Sequence, residues 1–99
     1  MSNAIEPCWR VSVDGELPLR YWEGDYVVYN PLSGSTHVLD VVAGELLKSI
    51  AADRGRLTQL HQRIADFLEV PNDASVAESV REILAQLDEL GLIEQIDAC

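Results

Sequence analysis

Ninety-nine residues, 47% of them apolar and 24% charged, with six Gly and four Pro, describe one globular domain (residues 1–99, with a core from about 9 to 96) and exclude disordered and collagen-like classes. Seven bases against seventeen acids leave a formal net charge of −10, a field that repels a phosphate backbone and sets nucleic acid aside as a partner. The longest uncharged apolar runs fall far short of the roughly 18 residues needed to cross a bilayer, and the N-terminus lacks the basic and apolar regions of a secretory signal, so a soluble, cytoplasmic protein with no membrane contact is expected.

The first strand is predicted at Trp9 to Val13, where apolar and polar residues alternate until the turn pair Asp14-Gly15. Leu19 to Glu23 and Tyr26 to Asn30 are separated only by Gly24-Asp25. Glycine at the first central position fits a type II′ turn, so these two segments form a hairpin. Asn30-Pro31 and the small residues Ser33-Gly34-Ser35 then lead into Thr36 to Asp40, a strand expected to pair back on the one before it.

At Asp40 the apolar period changes from two to about 3.6. Val42, Ala43, Leu46, Leu47 and Ile50 form one helical stripe, with Asp40 placed to cap its start and Gly55 lying past its end. Thr58 can cap a second helix with the stripe Leu60, Ile64, Phe67 and Leu68, which Val70-Pro71 stops. Ser75 and Glu78 have capping-box spacing before a third stripe of Val76, Val80, Ile83, Leu84, Leu87 and Leu90, which ends at Gly91. Apolar residues resume in extended spacing over Leu92 to Ile96, as a short terminal strand or a wing; Asp53 to Arg56 and Asn72 to Ser75 read as connectors. The order predicts an α+β domain, a three-stranded antiparallel sheet followed by three helices in a winged-helix-like arrangement. Whether Trp9 to Val13 joins the main sheet is left open.

Candidate chemistry is scarce. Cys8 and Cys99 stand at opposite ends of the chain with no metal-ligand spacing around either; a bridge joining the termini requires their Cα atoms to approach within about 7 Å, which spacing does not decide, and both are expected as free thiols. His37 and His61 are the only histidines, too few and too far apart to assemble a triad or a metal set. The ordinary reading of His37 is a partly buried strand residue bonded to backbone, and that of His61 a solvated residue on the polar side of the second helix. Ser33, Ser35 and Thr36 follow a proline turn without a nucleophile elbow, and "PLSGST" lacks the Gly and Lys spacing of a phosphate loop. No catalytic residue, metal or cofactor is therefore expected. What remains is surface: Trp9, Tyr21, Trp22, Tyr26 and Tyr29 load the sheet with aromatics, helices can cover one of its faces, and the other is open to a partner.

The run Trp22 to Ile50, with its Val-Val-Tyr-Asn strand, its Ser-Gly-Ser-Thr-His turn into the next strand and its leucine-rich first helix, resembles the PqqD family of small peptide chaperones. It is similar in particular to the branch described as belonging to the HPr-related A system. The ending Glu89 to Glu94 is also similar to the close of that family, and the resemblance spans about Trp9 to Ile96. It implies a recognition element for the leader of a ribosomally made precursor peptide, which docks as an added strand on the sheet edge before the first helix and lies against the third. Carried onto this chain, the implied peptide-binding residues are Thr36, His37, Val38 and Leu39 on the edge, with Val80, Ile83, Leu84 and Leu87 on the helix. The implied partners are the precursor peptide and a peptide-modifying enzyme. A homodimer is the further partner if a second protomer covers the open edge.

Two other classes compete with this reading. An acidic winged-helix transcription regulator shares the element order, but the third helix carries Glu78, Glu82, Asp88 and Glu89 against Arg81 alone, which opposes a major groove. A small enzyme subunit requires a second chain to complete its site.

Overall fold

The computed structural model describes residues 7–12, 17–52 and 55–96. Its elements are β1 (Cys8–Val11), β2 (Leu19–Trp22), β3 (Asp25–Asn30), β4 (Ser35–Leu39), α1 (Val41–Ala52), β5 (Gly55–Arg56), α2 (Leu57–Leu68), α3 (Ala74–Glu89) and β6 (Ile93–Ile96). The class is α+β, but with two three-stranded antiparallel sheets rather than one, ordered β2-β3-β4 and β5-β1-β6. The likeness to a winged helix is correspondingly loose.

The first strand leaves the main sheet and pairs with the terminal segment, Cys8 opposite Ile96 and Val11 opposite Ile93. Its other edge takes Gly55 and Arg56, so part of the expected connector Asp53 to Arg56 is a strand. Val13 and the Asp14-Gly15 turn lie outside the described residues. Cys8, expected as a free thiol, is disulfide-bonded. It is buried in β1, where pairing brings it to the last strand of the chain; Cys99, the other cysteine in the sequence, lies outside the described residues.

The β2–β3 hairpin turns one residue earlier than expected. Trp22 pairs with Asp25, and the central residues are Glu23 and Gly24 with φ of 50° and 88°. Positive φ at both positions is the signature of a type I′ turn, not type II′. Moving a two-residue turn by one position shifts the pairing by two residues, so the faces are kept, with Tyr26, Val28 and Asn30 inward at 6%, 0% and 2% exposure, but the hydrogen-bonded and non-bonded pairs of the ladder exchange. Glu23 thus holds a left-handed conformation that costs a residue with a Cβ about 1–2 kcal/mol. Glu23→Asn is expected to raise stability by about 0.5–1 kcal/mol, since asparagine tolerates this region better; the exposed bond from Trp22 Nε1 to Glu23 is a small loss against it. Urea unfolding of the variant checks this, and a drop in stability would contradict the turn assignment.

Two of the three helices start at an aspartate that satisfies their first amides. Asp40 caps α1 as expected, its Oδ1 accepting from Ala43 N–H at 2.8 Å. Helix α2 begins at Leu57, so Thr58 lies inside it, and its N-cap Arg56 makes no side-chain cap bond. Asp73, not Ser75, caps α3, accepting from the amides of Ser75 and Val76. Helix α1 packs against both sheets, touching β1, β3 and β4 as well as α2 and α3. The shared core gathers Val28 and Leu39 from the main sheet, Leu46 and Leu47 from α1, Leu60 and Ile64 from α2, and Val80 and Leu87 from α3. Phe67 and Leu68, expected on the buried stripe of α2, are each 42% exposed, because Leu60, Ile64 and Ala65 occupy its core side.

Candidate peptide-binding edge

Strand β4 pairs with β3 alone among the described residues, which leaves its other edge open. Which backbone groups face that edge follows from one bond. Tyr29 N–H donates to Pro18 O at 3.0 Å, toward β2. Successive residues of an antiparallel strand aim their backbone groups at alternate neighbours, so Val28 and Asn30 aim theirs at β4. Their register partners His37 and Ser35, and Leu39 opposite Tyr26, are then the residues bonded to β3. Thr36 and Val38 therefore hold their N–H and C=O groups outward.

The same register sorts the side chains, because paired residues share a face. Leu39 is buried and His37 half-buried on the core side, while Thr36 and Val38 point to the outer side, where Val38 is 67% exposed. Val27, Tyr29, Arg20 and Trp22 continue that outer face across the sheet, with Tyr29 and Trp22 at 43% and 59% exposure. The aromatic surface expected from composition thus exists, beside the open edge.

Both ends of β4 are fixed. At its start, buried Asn30 donates from Nδ2 to Leu90 O at 3.3 Å and accepts on Oδ1 from Leu32 N–H at 2.9 Å, tying the turn to the end of α3. At its finish, Leu39 runs directly into the Asp40 cap of α1. An edge held this way offers backbone groups in a set geometry, so a bound strand does not have to order it.

Under the sheet, Tyr26 locks α1 to β3. Its hydroxyl donates to Glu45, Lys48 Nζ lies 3.4 Å from the same carboxylate and 5.9 Å from the Tyr26 ring centroid, and Tyr21 meets that ring edge-on at 5.3 Å. The bond to Glu45 and then burial raise the Tyr26 pKa above its ordinary 10.0, and Lys48 is raised above 10.5, first by its bond to Tyr26 and then by the charge of Glu45. Protons held more tightly when folded give stability that is complete below the unfolded pKa values and lost as pH rises through the folded ones. Tyr26→Phe is expected to lower stability by about 1 kcal/mol at neutral pH and to flatten its decline above about pH 10. Unfolding midpoints across that range test this; an unchanged alkaline slope would contradict it.

The helix residues expected at the site are placed differently. Val80, Leu84 and Leu87 are 0%, 3% and 0% exposed and belong to the core. Of the four, Ile83 alone is half-buried. Apolar periodicity marked these positions as inward-facing without showing whether anything lies open above them. Sequence reasoning missed Asn30, for which a polar residue ending a strand before proline was the available signal. It also placed His61 in solvent, whereas the residue is half-buried beside Trp9 and α3.

Among the described residues, no group of three or more His, Cys, Asp and Glu side chains could hold a metal ion, and no helix is long and apolar enough to cross a membrane. Open backbone pairs and an apolar face are groups that bind. The model of the family described as coenzyme PQQ synthesis protein D, PqqD, matches residues 25–93, from the start of β3 to the start of β6. No curated protein and no solved structure matches the chain.

Proposed function

The chain belongs to the PqqD family, and on that premise we propose that it binds the leader of a precursor peptide as an added strand along β4 and presents it to a peptide-modifying enzyme. The family is one of non-catalytic peptide-binding chaperones. The observation that carries the strand-addition reading is the outward orientation of the Thr36 and Val38 backbone groups on an edge fixed at both ends. Two such residues offer four hydrogen bonds to an antiparallel or parallel guest, and alternate guest side chains then fall on the outer face beside Val38 or on the core side beside His37.

The part of α3 in this reading is divided. Val80, Leu84 and Leu87 anchor α3 in the core it shares with α1, α2 and β6, and Ile83, half-buried, is the residue left through which α3 adds contact. The net charge of −10 favours a leader that is neutral or basic. The HPr-related branch is read from the Trp22 to Ile50 run and fits the same activity.

Calorimetric titration with the leader of a precursor peptide encoded beside this chain's gene tests the proposal. Saturable one-to-one binding is expected, with amide shifts centred on β4. Binding whose shifts avoid β4, or no binding to any such peptide, would overturn it.

A further inference from the structure

Helix α3 forms one wall of a groove that no β4 residue lines, with a cavity volume of about 610 Å³. Pro7 and Trp9 of the β1 segment and Leu57 at the start of α2 form the opposing apolar wall. Along α3 the lining residues recur on one helical face from Ala74 to Asp88, a span of about 21 Å at 1.5 Å per residue. Ala77 and Ala85 keep that face low, so a second helix can approach it closely. Pro7, Trp9 and Gln95 lie outside residues 25–93, so the groove is completed by segments beyond the family match.

Glu78 and Asp88 stand at intervals along the groove with Arg81 between them, and none of the three has an ion-pair partner among the described residues. The Trp9 indole N–H is buried without an acceptor among the described residues. Backbone pairing is not what the groove offers: α3 bonds its own amides, and β1 is the central strand of its sheet, paired on both edges. A second copy of this chain would bring a net charge of −10 against another −10 and acids against the same acids.

We propose that this groove is a second docking surface, which receives a basic amphipathic helix of a partner protein. The apolar face of that helix lies on Ala77, Ala85 and Leu57, its cations meet Glu78 and Asp88, and a carboxylate or amide on it accepts from Arg81. The surface is separate from the β4 edge, so leader peptide and partner helix can be held together.

The test uses three synthetic peptides of about 18 residues: an amphipathic Leu/Lys helix, its Leu/Glu counterpart, and a Leu/Lys scramble without an apolar face. Titrations are followed by amide and indole N–H shifts at near-physiological salt, where loose attraction between exposed charges is screened. The Leu/Lys helix is expected to shift Trp9, Ala77, Arg81 and Ala85, and to bind at least about tenfold more tightly than either other peptide. Ala85→Arg, which projects a long cation into the groove from an exposed helix position, should weaken it at least about tenfold while Ala85→Ser and Val38→Pro leave it unchanged. Glu78→Lys combined with Asp88→Lys should turn the preference toward the Leu/Glu helix, a reversal that loss of fold cannot produce. Equal affinity for the helix and its scramble, shifts spread over the acidic surface or centred on β4, indifference to Ala85→Arg, or groove shifts that follow protein concentration alone would each overturn the proposal.

Discussion

Gly44→Ala is expected to destabilise the protein by about 3 kcal/mol, at the upper end of what overpacking a core costs. A Cβ at Gly44 would lie 1.9 Å from Tyr26 Cδ2 and 2.7 Å from Tyr26 Cβ. The ring has nowhere to go: Glu45 holds its hydroxyl, Tyr21 closes one side, and β3 carries it into the core at 6% exposure. Alanine's better helix propensity returns only about 1 kcal/mol. In a domain of this length each kcal/mol corresponds to roughly 4–8 °C, so the melting temperature should fall by more than about 10 °C. Adding Tyr26→Ala, which removes Cγ and Cδ2 and leaves only Cβ at 2.7 Å, should cost less than the sum of the two single changes. A Gly44→Ala melt matching the wild type would mean that α1 does not sit on Tyr26 as described, and the placement of β4 at the start of α1 would fall with it.

Val38→Pro is expected to reduce leader binding by at least about tenfold while leaving the fold nearly intact. Proline removes one donor and places ring carbons where a guest carbonyl would approach. In the middle of a sheet this would break a ladder bond, but the Val38 N–H faces the open side, where proline is tolerated. His37→Pro is the matched control, because its N–H points to Val28 in β3 and its loss should lower the melting temperature. The two variants therefore separate edge from ladder: binding lost with the fold kept for Val38, stability lost for His37. If Val38→Pro unfolds the hairpin and His37→Pro does not, the alternation drawn from the Tyr29 bond to Pro18 is reversed.

Much of this architecture is written locally. Asp40 before an apolar stripe gave the start of α1, and the Thr36 to Asp40 run gave β4 to within a residue, because capping and alternation act over a few positions. The hairpin register slipped because glycine suits either central position of a tight turn, and the two registers differ by two residues of pairing, which leaves the apolar alternation of both strands unchanged. Around Asn72 to Ser75 two residues can cap a helix, and Asp73 won over Ser75 by accepting two amides. Strands β1 and β6 were legible in the alternation at Trp9 to Val13 and the extended spacing at Leu92 to Ile96, but the pairing of the β5-β1-β6 sheet had no local signal: Cys8 meets Arg56 and Ile96 from far along the chain, and such pairs follow from packing. At the candidate site, alternation made the strand around Thr36 to Leu39 legible, but not which of its backbone groups stay unpaired. A stripe such as Val80, Leu84 and Leu87 tells which way a helix faces, and here it faces a filled core.

Amide hydrogen exchange along β4, residue by residue with and without bound leader, tests the central claim most directly. In the free protein Thr36 and Val38 should exchange quickly and His37 and Leu39 slowly, since only the latter two are bonded to β3. With leader bound, protection should rise at Thr36 and Val38 and stay as it was at His37 and Leu39. Bound leader that leaves Thr36 and Val38 exchanging as fast as before would contradict strand addition at this edge.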